Sequence, residues 1–317
     1  MVKLFLGNRA GVLFLIPVLV FVYLGVNYSI EYFIHGQTSN LGFWGEAVIV
    51  YPKLSAISAA IIIILNAIII NHIFNTNEFL ERNSYMSSLL YVVLMSFYHS
   101  FYSLDGILIA HLGLILMLYQ FFKLRQNQDG RSSIFNGAIF AGIAASFHPP
   151  LIAFFPFLLF MIWIIRPFIF RETVLALIGF GIPLIYATLY LWLSGHRIEL
   201  EIIEQSTKYT SKQLDFLVMA ILFTLLFILS LVTIRGRMLQ STNRLKKLVS
   251  MLWWLVFIGV IFGLLDLFFF KQIERFNFLM LPLSFFLTFS FSNKTFGGIA
   301  TFLFYLTFLY SWIKFFI

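Results

Sequence analysis

S-F-Y-H-S-F-Y-S-L-D-G-I-L-I-A-H, residues 96–111, runs through an apolar segment into K-L-R-Q-N-Q-D-G-R at 123–131. The stretch then closes on N-G-A-I-F-A-G-I-A-A-S-F-H-P-P-L-I-A-F-F-P at 136–156. Its apolar runs have the length of membrane hairpins, and its polar residues are sorted by turn. His99, Asp105 and His148 fall in the turns on one side, and Lys123, Arg125 and Arg131 in the turn on the other. That alternation is the signature of a polytopic chain whose basic turns stay in the cytoplasm.

The same pattern extends in both directions. The 317 residues are 61% hydrophobic and 11% charged, with 41 Phe. A soluble domain is about a quarter charged, so lipid must solvate most of this chain. Spans are expected at Gly11–Ser29, Leu54–Phe74, Tyr85–Ser100, Gly106–Phe122, Ile134–His148, Leu151–Ile165, Thr173–Leu193, Leu214–Ile234, Leu248–Phe270, Phe276–Phe291 and Phe296–Phe316. The fifth, sixth and tenth are short for a crossing of about 20 residues, which leaves re-entrant pairs open there. The semi-polar segment after the first span, with Phe33, Phe43, Trp44 and Tyr51, suits the headgroup layer. R-I-E-L-E-I-I-E-Q at 197–205 reads as a short surface helix. The expected fold is all-α: one integral membrane domain over 1–317, a polytopic transmembrane bundle of about eleven helices.

Fourteen of the 21 Lys and Arg residues fall on one side of this topology and seven on the other. The bias puts the N-terminus in the cytoplasm and, with an odd span count, the C-terminus outside. It also accounts for the net charge of +8 without nucleic acid. The five basic residues between Arg235 and Lys247 suit anionic lipid. With no cysteine, thiolate catalysis and Cys-metal sites are excluded. Phosphate-binding loops, nucleophile elbows, H-E-x-x-H and dinucleotide fingerprints are absent, and no metal or cofactor is expected. The histidines owe nothing to topology, yet all but His72 lie toward the outer side. Chemistry is therefore expected on the outer face.

The candidate residues each carry two readings. Glu31 and His35 share a helical face, either as base and orienter or as solvated loop residues. His99 and Asp105 crowd one outer turn with Tyr98 and Tyr102, where Asp105 either activates a hydroxyl or caps the following helix. His148 precedes two prolines that force a break and either lines a cavity there or merely marks the turn. Asp266 lies in an apolar run, where a carboxylate is costly, and has Lys271 or Arg275 as its natural partner. Lys271, Glu274 and Arg275 can hold a lipid phosphate or anchor the chain at the interface. Gly137, Ala141 and Ala145 at four-residue spacing form a small-residue packing face.

The runs L-N-A-I-I-I-N-H-I-F at 65–74, I-F-N-G-A-I-F-A-G-I-A-A-S-F-H-P-P at 134–150 and E-R-F-N-F-L-M-L-P-L at 274–283 resemble an uncharacterised family of polytopic Bacteroidota membrane proteins. The likeness spans most of the chain and implies an inner-membrane location, with no activity attached. An acid after the first span, the A-G-I-A-A-S-F-H-P-P span after a basic turn, and an outer Arg before an L-P-L span also resemble the GT-C polyprenyl-phosphate-sugar glycosyltransferases. That resemblance implies a catalytic acid at Glu31 or Glu46 and a lipid-phosphate ligand at Arg275. The first outer loop lacks the adjacent acid pair of that family. The leading expectation is a GT-C-like transferase using a polyprenyl-phosphate-linked sugar, with Glu31, Asp105, His99 and His148 catalytic and Arg275, Lys271, Asp266 and His35 binding substrate. The competing expectations are a non-catalytic subunit or scaffold that docks other envelope membrane proteins, and a lipid-carrier flippase. In every case membrane lipids are partners.

Overall fold

A computed structural model describes residues 1–30, 39–44, 46–47, 52–124, 129–194, 213–270, 273–293 and 296–316. Glu31, His35, Lys271 and the 197–205 segment lie outside the described residues. Apart from a two-residue antiparallel ladder that pairs Ser39 with Ala47 and Asn40 with Glu46, the described chain is helical. Its α-helices are α1 (Val2–Phe5), α2 (Leu15–Ile30), α3 (Pro52–Thr76), α4 (Met86–Met95), α5 (Gly106–Phe121), α6 (Arg131–Phe147), α7 (Phe155–Ile165), α8 (Phe170–Ser194), α9 (Gln213–Gln240), α10 (Asn243–Leu265), α11 (Met280–Thr288) and α12 (Gly297–Ile313).

Five segments are long and apolar enough to cross a membrane: Ala10–Ile30, Lys53–Thr76, Phe170–Ser194, Asp215–Gln240 and Asn243–Phe269. They turn apolar stripes outward. On α3, Leu54, Ile57, Ile61, Leu65 and Ile68 recur at three- and four-residue spacing and are all exposed, while Ala59, Ala60, Ile63, Ala67 and Ile70 are buried. A helix apolar on every face, with its outer stripe exposed, has the composition of a membrane span.

The third expected span differs from its sequence reading. One helix is expected over Tyr85–Ser100, but α4 ends at Met95 and the chain re-forms as a 3-10 turn at His99–Phe101. Ten residues reach about 15 Å, half the hydrocarbon thickness. All ten are buried, Ser87 and Ser88 among them, so α4 is an interior strut ringed by other helices. Its chief neighbour is α11, which is nearly as enclosed and is flanked by 3-10 turns at Glu274–Leu279 and Phe289–Ser292.

Small residues set the spacing of the central layer. Gly113 of α5 faces the Phe140 carbonyl and Ala144 of α6, and Gly137 of α6 faces the Phe121 ring, so these helices run antiparallel. On the other side of α6, Gly142 lies against the Phe180 carbonyl and Gly179 against the Phe135 carbonyl, which makes α6 and α8 parallel. Ala141 and Ala145 are buried in the same layer. The four-residue spacing of small residues is thus a packing face, as expected.

The two ends of the bundle are chemically distinct. At the basic end, Arg237 meets Glu81 at 2.6 Å, Arg244 donates to Asn77 Oδ1 at 2.9 Å and to the Phe122 carbonyl at 3.2 Å, and Lys247 donates to the Ile165 carbonyl at 2.9 Å. Arg166 and Glu172 form a buried pair at 3.0 Å. The far end gathers the remaining polar turns. There the 39–47 segment docks on α6, with Trp44 Nε1 donating to Ser146 Oγ at 3.1 Å and the Trp44 ring 5.4 Å from Tyr190. Gly42 takes a left-handed φ of 64° directly against the Phe147 carbonyl, a position closed to any side chain.

Candidate functional site

The far end is organised by the turn Glu274–Leu279. Helix α10 does not stop cleanly but widens into a π turn at Asp266–Phe270, of the kind often found at functional sites. Asp266, 1% exposed, points inward. Its Oδ1 lies 3.2 Å from Arg275 Nη1 and its Oδ2 accepts from the Arg275 backbone N–H at 3.4 Å. Of the two partners proposed for Asp266 from sequence, the structure therefore brings in Arg275.

Beyond Arg275 the same turn presents Asn277 and Phe278 to two histidines. The Phe278 ring lies 5.2 Å from His111 of α5 and 5.3 Å from His148 at the C-terminus of α6. His148 is also close enough to feel the charge of Arg275 and the ring of His111. His111 continues a polar relay into the bundle: its Nδ1 is 3.3 Å from Tyr91 Oη, which accepts from Asn66 Nδ2 at 3.1 Å. On the other flank Glu274, buried, acts electrostatically on Tyr98. Next to it, Leu114, Leu151, Ile258, Phe262, Phe278 and Leu281 line a narrow apolar crevice between α5, α10, α11 and the 3-10 turn Pro149–Phe154. Phe278 is shared by the polar cluster and the crevice.

The remaining sequence candidates are placed elsewhere or differently. Asp105 caps α5, with Oδ1 accepting from the Leu108 N–H at 2.7 Å and Oδ2 from Ser100 Oγ at 2.6 Å. Its carboxylate is thus occupied by the capping role that the sequence allowed. His99 is engaged by Ser103 Oγ, 2.9 Å from its Nδ1. The structure therefore groups His148 with His111 and Arg275, while His99 and Asp105 are held by their own turn. Among the described residues no cluster of three His, Asp or Glu side chains is arranged to hold a metal ion.

Desolvation raises the Asp105 carboxyl to about 6, against the lowering effect of hydrogen bonds from Ser100 and the backbone of Leu108 and Ile107. A carboxyl that holds its proton more tightly folded than unfolded makes stability fall as pH rises between the two values, here from about 4 to about 6, and leaves it flat above. Asp105→Asn keeps a capping oxygen and is expected to flatten that window. Asp105→Ala loses the cap and is expected to cost about 1 kcal/mol at neutral pH. Thermal melts of the detergent-purified protein between pH 4 and pH 8 read both effects.

Sequence reasoning missed Asn277, Asn66, Tyr91 and Tyr98, and noted His111 without choosing it. The signal was present: an amide in an apolar run is as costly to bury as it is easy to see. The rule that singled out Asp266 selects Asn66 within I-L-N-A-I and Asn277 within R-F-N-F-L equally well. No family model matches this chain, and no curated protein or solved structure matches it.

Proposed function

We propose that the protein is a multi-pass protein of a bacterial inner membrane, N-terminus in the cytoplasm, and that its far end works on a polyprenyl-phosphate-linked sugar as a GT-C-like glycosyltransferase. One observation carries the reading: the turn that holds the Arg275–Asp266 pair also places Phe278 against a polar cluster and in the wall of an apolar crevice. That is the order in which a lipid-linked sugar presents its chemistry, with an anionic head, polar substituents and an isoprenoid tail. Arg275 is the phosphate ligand in this reading, because a guanidinium offers paired donors to phosphate oxygens.

The reaction needs an acceptor hydroxyl whose oxygen bonds to the anomeric carbon while the bond from that carbon to the phosphate oxygen breaks. The polyprenyl phosphate leaves, and the hydroxyl proton passes to a carboxylate base. Glu31 keeps this role as the acid of the first outer loop. Asp105, its alternative, is occupied as a cap. Glu274, one residue from Arg275, is the described carboxylate best placed to take over.

Two experiments test the reading in turn. Labelling of cysteines placed at Asn127 and Asn243 is expected only from the cytoplasm, and at Ser39 and Thr207 only from outside. Outside labelling of Asn127 would invert the topology and remove the transferase from the sugar-carrier face. Complementation of a deletion strain is then expected to fail for Glu31→Gln or Glu274→Gln at normal protein levels. Full complementation by the double variant would leave a scaffold for other envelope proteins as the better reading.

A further inference from the structure

Among the described residues, buried polar atoms on and near the turn Glu274–Leu279 lack a hydrogen-bond partner: Tyr98 Oη, His111 Nε2, His148 Nε2 and both amide atoms of Asn277, with Asn66 Oδ1 further along the same relay. Asn66, Tyr98, His111 and Asn277 are each fully buried. Almost every buried polar group in a native protein is satisfied, so a group of such atoms on one side of the fold calls for a reason. They are not scattered. Asn66 leads through Tyr91 to His111, the two imidazoles flank Phe278, and Asn277 is the residue before it.

The chemistry of these atoms selects a ligand. An uncharged imidazole donates from one nitrogen and accepts at the other, a carboxamide does both, and so does a phenol. An array with donors and acceptors in comparable number is poorly matched to phosphate, which only accepts. It is equally poorly matched to an ammonium group, which only donates. Hydroxyl groups do both.

We infer that His111, His148 and Asn277 form a hydroxyl-binding pocket that holds the sugar ring of the lipid-linked substrate, with the phosphate on Arg275 and the tail in the adjoining crevice. The inference deepens the transferase reading and rests on it. The pocket assigns specificity to residues that touch the sugar, and carrier recognition to Arg275 alone.

The test uses the full chain in nanodiscs. Binding of bare polyprenyl monophosphate is compared with binding of a panel of polyprenyl-phosphate hexoses and pentoses. At least one sugar-bearing lipid is expected to bind ten-fold or more tightly than the bare carrier. Asn277→Leu, an apolar near-isostere, is expected to abolish that preference while leaving binding of the bare carrier within two-fold and the melting temperature unchanged or higher. The last result separates the pocket from a structural polar core, whose disruption would lower the melting temperature. His148→Phe, at a half-buried helix end, is expected to reduce the preference as well and serves as a second variant. If the bare carrier binds but no sugar adds affinity, or if the preference survives both variants, the pocket is overturned. If neither the bare carrier nor any sugar-bearing lipid binds, the transferase reading falls with it.

Discussion

Arg275→Ala is expected to destabilise the protein by about 3–5 kcal/mol, and the double change Asp266→Asn with Arg275→Gln to recover most of that loss. Removing one member of a buried ion pair strands the other charge, whereas neutralising both leaves polar groups of similar shape. Asp266 is 1% exposed, so the carboxylate that Arg275→Ala strands has little access to water. The surviving fraction after heating, followed by size-exclusion chromatography, measures the stability. On the transferase reading, activity separates from it: the double variant is folded but does not complement, because that reading requires a cation for the phosphate. Complementation by the folded double variant would show that the pair serves the fold alone.

The second large effect is expected at Gly142. A Cβ there would stand 2.4 Å from the Phe180 carbonyl oxygen and 3.1 Å from the Pro183 ring. Backbone on the neighbouring helix cannot rotate away as a side chain can, so α6 and α8 must separate along their length. Overpacking of this kind costs about 1–3 kcal/mol where side chains can yield, and more where they cannot. Gly142→Ala is expected to reduce folded protein sharply and Gly142→Leu to eliminate it. Gly25→Ala provides the control, since nothing lies within 4 Å of its Cβ position and the change improves helix propensity. Folded yields of the three variants, expressed side by side, give the comparison. Equal yields would mean that the two helices are not in close contact.

How much of this was legible beforehand follows from what each feature depends on. The alternation of apolar runs and polar turns is local, and it gave helices close to those observed: Leu54–Phe74 against Pro52–Thr76, and Phe296–Phe316 against Gly297–Ile313. Asp105 as a cap and Arg275 as the partner of Asp266 were also readable, because both involve residues close in sequence. The shortening of α4 was not, since an apolar run reads alike whether lipid or protein surrounds it. Nor was the His111–His148–Asn277 grouping, which draws on three elements separated by long stretches of chain. The turn containing Asp105 stands out in the chain because its polar residues are dense in sequence. The cluster at Asn277 is dense only in space.

The enclosure of α4 has a consequence for how the protein is made. This helix leaves the ribosome early, yet its principal neighbour α11 follows almost two hundred residues later. In the interval a ten-residue segment with Ser87 and Ser88 has neither the length to cross lipid alone nor the partner that hides it. Such long-range pairing slows assembly and leaves incomplete intermediates exposed. A chain arrested before Met280 is therefore expected to be recognised by membrane quality control and degraded, while the same arrest beyond Ser292 leaves α4 sheltered. The interior strut makes folding a late event, completed from the C-terminal side once α11 can close on α4.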